Sequence, residues 1–485
     1  MSTTTVLGTR PPGDYGSPVP ASALRRAFAT TIPVSALPRA SSTIVVTLCV
    51  LASLTPSLLP RSALTQALFT GVFAAAGLGM LVLARRLRQV LTRSSGSRVP
   101  RESVRLLALL GAMVTTTWAM VAADHWQDSL RQVMGMSSVG PGHWMQVILG
   151  AVTTFVVVVA AGATVSSVAH RLGWIGSATT AVVLATGLQL VAGPAVWEMM
   201  SRSYSDSNDV VDVSSQRPMS AARAGSPESV VSWESLGRQG RRFVAAGEQS
   251  GSIRTYVGMN SAPDVKSRAA LAVSELERAG GFARSAIVVT VPTGSGWIDE
   301  NAAEGFEDRF DDDVAIVGLQ YSYAPSWITF VFGRSAADES AAALFDAVAD
   351  RITALPDSIR PALYVYGQSL GSVGGSAQFT DAADLGRRAC GALWAGPPAG
   401  SVMTDGATVL ANTSDPVVWW SPDLILRRPD LSRAVADAPV PQWIPGLTFL
   451  QASVDLVSAL NFPAGHGHRY GTEQGTALPD CDLTR

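Results

Sequence analysis

Five apolar stretches, each long enough to cross a bilayer, stand before residue 200, at roughly 42–59, 64–84, 104–123, 144–168 and 174–197. Five at that length exclude a single signal peptide and argue against buried core helices. The stretch 42–59 is the weakest of them because Pro56 interrupts it and Pro60 follows. None carries Asp, Glu or Lys well inside, so an ion pathway or proton relay lacks its usual residues. Loop charge sets an orientation. The start of the chain carries Arg10, Arg25, Arg26 and Arg39, and the second connection carries Arg85, Arg86, Arg88, Arg93, Arg98, Arg101 and Arg105. The third, around 124–143, has Asp124, Asp128 and only Arg131. Arginine-rich segments stay cytoplasmic. The expectation is therefore a multi-pass plasma-membrane protein with its N-terminus inside and everything after about residue 198 outside.

Organisation follows from this segregation. Residues 1–40, rich in Pro, Ser, Thr and Ala, read as a disordered cytoplasmic tail. Residues 41–198 form the transmembrane domain, 199–231 an exposed linker, and 232–485 a second domain. There the pattern alternates. Strands are expected at Ile253–Met259, Ser285–Val291, Val314–Tyr321, Ala362–Tyr366, Gly391–Ala395 and Ala407–Leu410, with helices at Arg268–Ala279 and Ala337–Leu355. Such alternation predicts a mostly parallel sheet with helices on both faces. Only 15% of the chain is charged, Lys266 is the sole lysine, and the net charge of −2 gives no case for nucleic acid.

The strand Ala362–Tyr366 runs directly into Gly367-Gln368-Ser369-Leu370-Gly371, a G-x-S-x-G followed by small residues. In a strand–turn–helix context this pattern is a nucleophile elbow, with Ser369 in a strained conformation and no room for side chains at Gly367 and Gly371. An acid and a base follow in order. Asp415 ends Asn412-Thr413-Ser414-Asp415 ahead of Pro416, and two histidines stand in Gly465-His466-Gly467-His468. The other three histidines, His125, His143 and His170, lie among the apolar segments. Serine is a weak nucleophile, imidazole can take its proton, and a carboxylate fixes the imidazole tautomer. His466, flanked by glycine on both sides, is the expected base, with His468 the other candidate. A strand is expected before the base, yet Leu447–Leu460 reads as a helix.

Oxyanion donors are expected at the backbone N–H of Leu370 and at Thr293 or Gly294, in the Pro292–Trp297 loop. No carboxylate or cysteine cluster at ligand spacing accompanies the histidines, so no metal and no cofactor is implied. Cys390 and Cys481 both fall in the half placed outside, where a bridge between them is plausible.

With Ser57-Leu58-Leu59-Pro60-Arg61, Trp233-Glu234-Ser235-Leu236-Gly237, Gln320-Tyr321-Ser322-Tyr323, Gly396-Pro397-Pro398 and Gly465–Tyr470 added, the chain resembles an actinobacterial family of multi-pass membrane proteins with a C-terminal α/β-hydrolase domain. The resemblance implies a serine-hydrolase-type site outside the plasma membrane, acting on cell-envelope ester lipids. The leading expectation is thus a membrane-anchored esterase whose partners are the bilayer and an acyl-ester lipid. An acyltransferase using the same acyl-enzyme, and a non-catalytic envelope scaffold, are the alternatives. Trp297, Trp327, Trp394, Trp419 and Trp420 are candidates for an acyl groove.

Overall fold

A computed structural model describes residues 37–92, 102–187, 189, 193–212 and 215–481. The tail expected at 1–40 lies outside the described residues but for its last four. The N-terminal half is helical: α1 (Ala40–Ser53), α2 (Ala63–Thr92), α3 (Glu102–Val133), α4 (His143–Gly187) and α5 (Gly193–Asp209).

Among the described residues three helical stretches are long and apolar enough to cross a membrane, Ala63–Gln89, Glu102–Val133 and His143–Thr186. These three do not match the expected count of five. α1 stops after 14 residues, about 21 Å of helix against the ~30 Å of a bilayer core. Beyond it the chain runs without helix through Pro56 and Pro60 to α2, because neither proline supplies an N–H to continue the turn. The expected fourth and fifth stretches lie on either side of Gly173, whose non-helical φ 69° and ψ 178° divide α4 into two helices. Part of the fifth, 188 and 190–192, lies outside the described residues.

α1 runs antiparallel to α2. At its start, Arg85 of α2 bonds the hydroxyls of Ser41 and Ser42, and Arg105 of α3 bonds the Leu37 carbonyl. At its end, Ser53 Oγ lies 2.9 Å from Thr70 Oγ1. The arginine-rich end of the bundle is thus opposite to the loop that follows α1.

The C-terminal half holds a six-stranded, all-parallel sheet: β1 (Ile253–Val257), β2 (Ala286–Val291), β3 (Val314–Leu319), β4 (Ala362–Gln368), β5 (Gly391–Ala395) and β6 (Thr408–Leu410), in the order β1-β3-β2-β4-β5-β6. Runs such as Ala-Ile-Val-Val-Thr-Val in β2 are buried along their whole length. Continuous β-branched runs of this kind suit strands covered on both faces. Every strand being parallel, all carboxyl ends emerge on one edge, where the loops after β2, β4, β5 and β6 gather. Helix Val265–Arg278 packs with β1 and β3, and helix Arg334–Thr353 with β2 and β3. Cys390, just before β5, is bridged to Cys481.

Part of the segment expected to be an exposed linker is packed against its neighbours. α5 continues to Asp209, and Asn208, Arg223, Ala224 and Ser226 are buried. The Ala224 N–H donates to the Arg254 carbonyl at the start of the sheet. Alternation of Ser, Asp and Arg reads as solvated, but here arginines of the segment satisfy backbone carbonyls, Arg217 those of Gly225 and Ser226 and Arg223 those of Gly247 and Ser250.

Candidate active site

β4 ends at Gln368 and helix Leu370–Ser376 begins two residues later, leaving Ser369 alone in the turn with φ 54° and ψ −121°. For a residue with a Cβ this costs on the order of 1–3 kcal/mol, and such strain persists only where the surroundings enforce it. Two glycines provide the enforcement. A Cβ at Gly367 would stand 2.3 Å from the Gly371 carbonyl oxygen, and one at Gly371 would stand 2.1 Å from the Val291 carbonyl oxygen. The expected need for glycine at both positions is a steric fact of the turn. The Ser369 N–H donates to the Ala395 carbonyl at the end of β5 (2.9 Å), and its own carbonyl accepts from the Ser372 hydroxyl.

Asp415 follows β6 and caps the short helix Pro416–Trp419, its Oδ1 accepting from the Val417 N–H at 2.8 Å. Its other oxygen faces the histidine loop. Oδ2 lies 2.7 Å from His468 Nδ1 and accepts from the Tyr470 hydroxyl at 2.7 Å. Asp415 and His468 are both buried. Burial above all, and then the Asp415 charge, push the Tyr470 phenol well above its ordinary range, so it remains a donor. A Cβ on Gly396, the residue after β5, would fall within 2.8 Å of His468 Cε1, Nδ1 and Asp415 Oδ2. Gly396 thus floors the pair, while the neighbouring Ala395 holds Ser369. With Nδ1 taken, His468 Nε2 is buried and has no hydrogen-bond partner.

Asp415 meets His468, not His466, the expected base. His466 Nδ1 lies 3.1 Å from Asp437 Oδ2 instead. Asp437 also accepts from Thr413 Oγ1, the Ser414 N–H and the Ser414 hydroxyl. Its pair with His466 therefore ties the histidine loop to the segment that carries Asp415. The loop enters from helix Leu447–Asp455 and a short 3-10 turn, Leu456–Ser458, with no strand between them. Gly465 (φ 86°) and Gly467 (φ 57°) supply its reversals.

The expected oxyanion donors divide. Leu370 opens its helix, and its N–H meets no acceptor among the described residues. The Thr293 N–H is already bonded to the Trp297 carbonyl, and the Gly294 N–H to Ser326 Oγ at 3.1 Å. Neither points freely into the site. Of the five tryptophans, Trp394 and Trp419 are core residues, bonded through Nε1 to the Met403 and Thr413 carbonyls. Trp420 is half-buried, meeting Phe330 edge-on and Phe449 at a tilt. Phe330 in turn packs against the apolar cluster that includes Leu370. Trp297 is half-buried, and the Trp327 side chain lies outside the described residues.

Tyr470 and Asp437 were assigned no role from sequence. Tyr470 closes the Gly-His-Gly-His-Arg-Tyr run, a local signal, whereas Asp437 sits in an irregular segment with nothing to single it out. Among the described residues no group of three metal-ligating side chains converges.

Two models of one family account for most of the chain. The alpha/beta-hydrolase family model matches residues 253–409 and 404–479, and its N-terminal companion, the alpha/beta-hydrolase family N-terminus, matches 54–247. The chain belongs to this alpha/beta-hydrolase family. No curated protein and no solved structure was found to match it. The family N-terminus takes in both the apolar helices and the segment packed on the sheet.

Proposed function

We propose that this chain is a membrane-bound serine hydrolase that cleaves acyl esters through Ser369, His468 and Asp415. One observation carries the reading: the buried, unpartnered Nε2 of His468, whose other nitrogen is fixed on Asp415 and whose carbonyl is held by Gln368, the residue before a serine at positive φ. In the reaction His468 Nε2 takes the Ser369 proton as Oγ attacks the ester carbonyl carbon. Asp415 stabilises the imidazolium, and the Leu370 N–H donates to the developing oxyanion. The same proton then goes to the departing alcohol. Water, deprotonated by His468, releases the acyl group and restores Ser369.

The membrane setting favours a long-chain ester presented at the outer leaflet. α1 carries arginine contacts at one end and meets the catalytic half at the other, which supports a cytoplasmic N-terminus and an extracytoplasmic site. The aromatic group Phe330, Trp420 and Phe449 offers an apolar wall against the cluster that includes Leu370. The test is a chain-length series of p-nitrophenyl esters on the full protein in lipid. kcat/KM should rise from acetate to the long-chain esters; a maximum at acetate or butyrate would replace the lipid reading with a small-ester enzyme.

A further inference from the structure

The loop between α1 and α2 does not stop at the membrane face. Ser57-Leu58-Leu59-Pro60-Arg61 enters the catalytic half, where Leu58, Leu59 and Arg61 are at most 2% exposed. Arg61 Nε lies 2.8 Å from Asp455 Oδ1, and both side chains are buried. The Leu58 N–H donates to Asp455 Oδ2 at 2.9 Å, and Arg61 Nη2 to the Gln451 carbonyl at 3.2 Å. From the other side α3 grips the same loop: Trp126 Nε1 bonds the Ser57 carbonyl, and Gln127 bonds both Ser57 Oγ and the Arg61 N–H.

This junction ends on the histidine loop. Asp455 closes the helix that leads to Ala459, whose carbonyl accepts the His468 N–H at 2.9 Å. Leu59 packs with Ala459 and Phe462, and a Cβ built on Gly467 would stand 3.3 Å from Leu59 Cδ2. Other ties on the loop come from the catalytic half itself, among them Ser414 Oγ on the Gly467 N–H, Asn412 on the Gly467 carbonyl, Gln368 on the His468 carbonyl and Asp437 on His466.

We propose that Leu59 and Arg61 are positioning residues for His468, so that the membrane half sets the catalytic base as well as anchoring the enzyme. The inference rests on the serine-hydrolase reading above. Removing the Leu59 side chain frees the outer wall of the histidine loop, and small misplacement of a base is costly in rate.

The experiment uses the full chain in nanodiscs, with a fluorophosphonate to count and time reaction at Ser369 and a soluble p-nitrophenyl ester for steady state. Leu59→Ala should lower the phosphonylation rate and kcat about tenfold, with KM and the number of titratable sites unchanged. Leu59→Met should restore most of the rate. Arg61→Lys, which keeps the charge but loses the Nε bond, should lie between and serves if Leu59→Ala does not fold. Leu276→Ala, in the sheet core away from the junction, should lower the unfolding temperature without changing the rate per titrated site. Wild-type rates in both junction variants, or an equal loss in Leu276→Ala, would overturn the positioning role. If wild type and Ser369→Ala label alike, the hydrolase reading itself has failed.

Discussion

At the scale of single residues, Asp415 shows how one carboxylate serves three partners. One oxygen caps the turn that begins at Pro416, while the other faces both His468 and Tyr470. The turn-cap role and the orienting role are therefore compatible. Tyr470→Phe removes only the phenol donor and leaves the His468 contact in place. Losing a hydrogen bond to a charged group costs roughly 1.5–3 kcal/mol, part of it recovered in the stronger pull of Asp415 on His468. kcat is expected to fall several-fold with KM unchanged, read by steady-state ester hydrolysis. A loss as deep as that of Ser369→Ala would mean that Tyr470 takes part in the chemistry directly. Glycine spacing favoured His466, and local sequence had no means to correct it. The choice is made by which carboxylate each ring meets, and Asp437 reaches His466 only through the fold.

At the scale of elements, a buried polar chain joins the elbow strand to the loops beside it. The Tyr366 hydroxyl donates to Gln474 Oε1, Gln474 Nε2 to Asp299 Oδ2, and Asn301 Nδ2 to the Tyr470 carbonyl. Burial raises Asp299 to about 6, against the downward pull of the Gln474 and Asn301 donors. A carboxyl whose folded pKa exceeds its unfolded one favours folding most at low pH. Its contribution is complete below about pH 4 and is lost as pH rises through about 6. Asp299→Asn keeps an acceptor for the Asn301 N–H and removes the titration. Its unfolding temperature in detergent should vary less than that of wild type between pH 4 and pH 6. An unchanged slope would show that Asp299 titrates normally.

Much at this scale was legible beforehand. β5 was expected at its observed bounds, and β2, β3, β4 and β6 fell within two residues of theirs, because buried parallel strands are written as short β-branched runs between turn residues. The elbow was legible because its constraint is local: two glycines and a strand end. The short α1 and the packed 199–231 segment were less so. A proline-broken apolar run and a polar segment both look alike in sequence whether they meet solvent, lipid or another domain. The partner of the Gly294 N–H was hidden for a related reason, since Ser326 lies 32 residues downstream.

At the scale of the whole molecule, the two halves share a buried junction through Arg61 and Asp455 rather than a tether, and the site sits where α1 leaves the bundle. A single cysteine at Ser95→Cys or Ser215→Cys, on a Cys49→Ser background, should react with an impermeant thiol reagent in intact cells only at 215. Labelling of both or of neither would put the two positions on one side of the membrane and undo the orientation.

The central claim is that Ser369 is a nucleophile activated by His468 on Asp415. Its most direct measurement is mass-spectrometric mapping of a fluorophosphonate adduct on the full-length protein, in wild type and in the two histidine variants. The account predicts a single adduct on the peptide bearing Ser369, lost in His468→Ala and kept at most of its rate in His466→Ala. An adduct on another residue, or loss in His466→Ala with retention in His468→Ala, would contradict it.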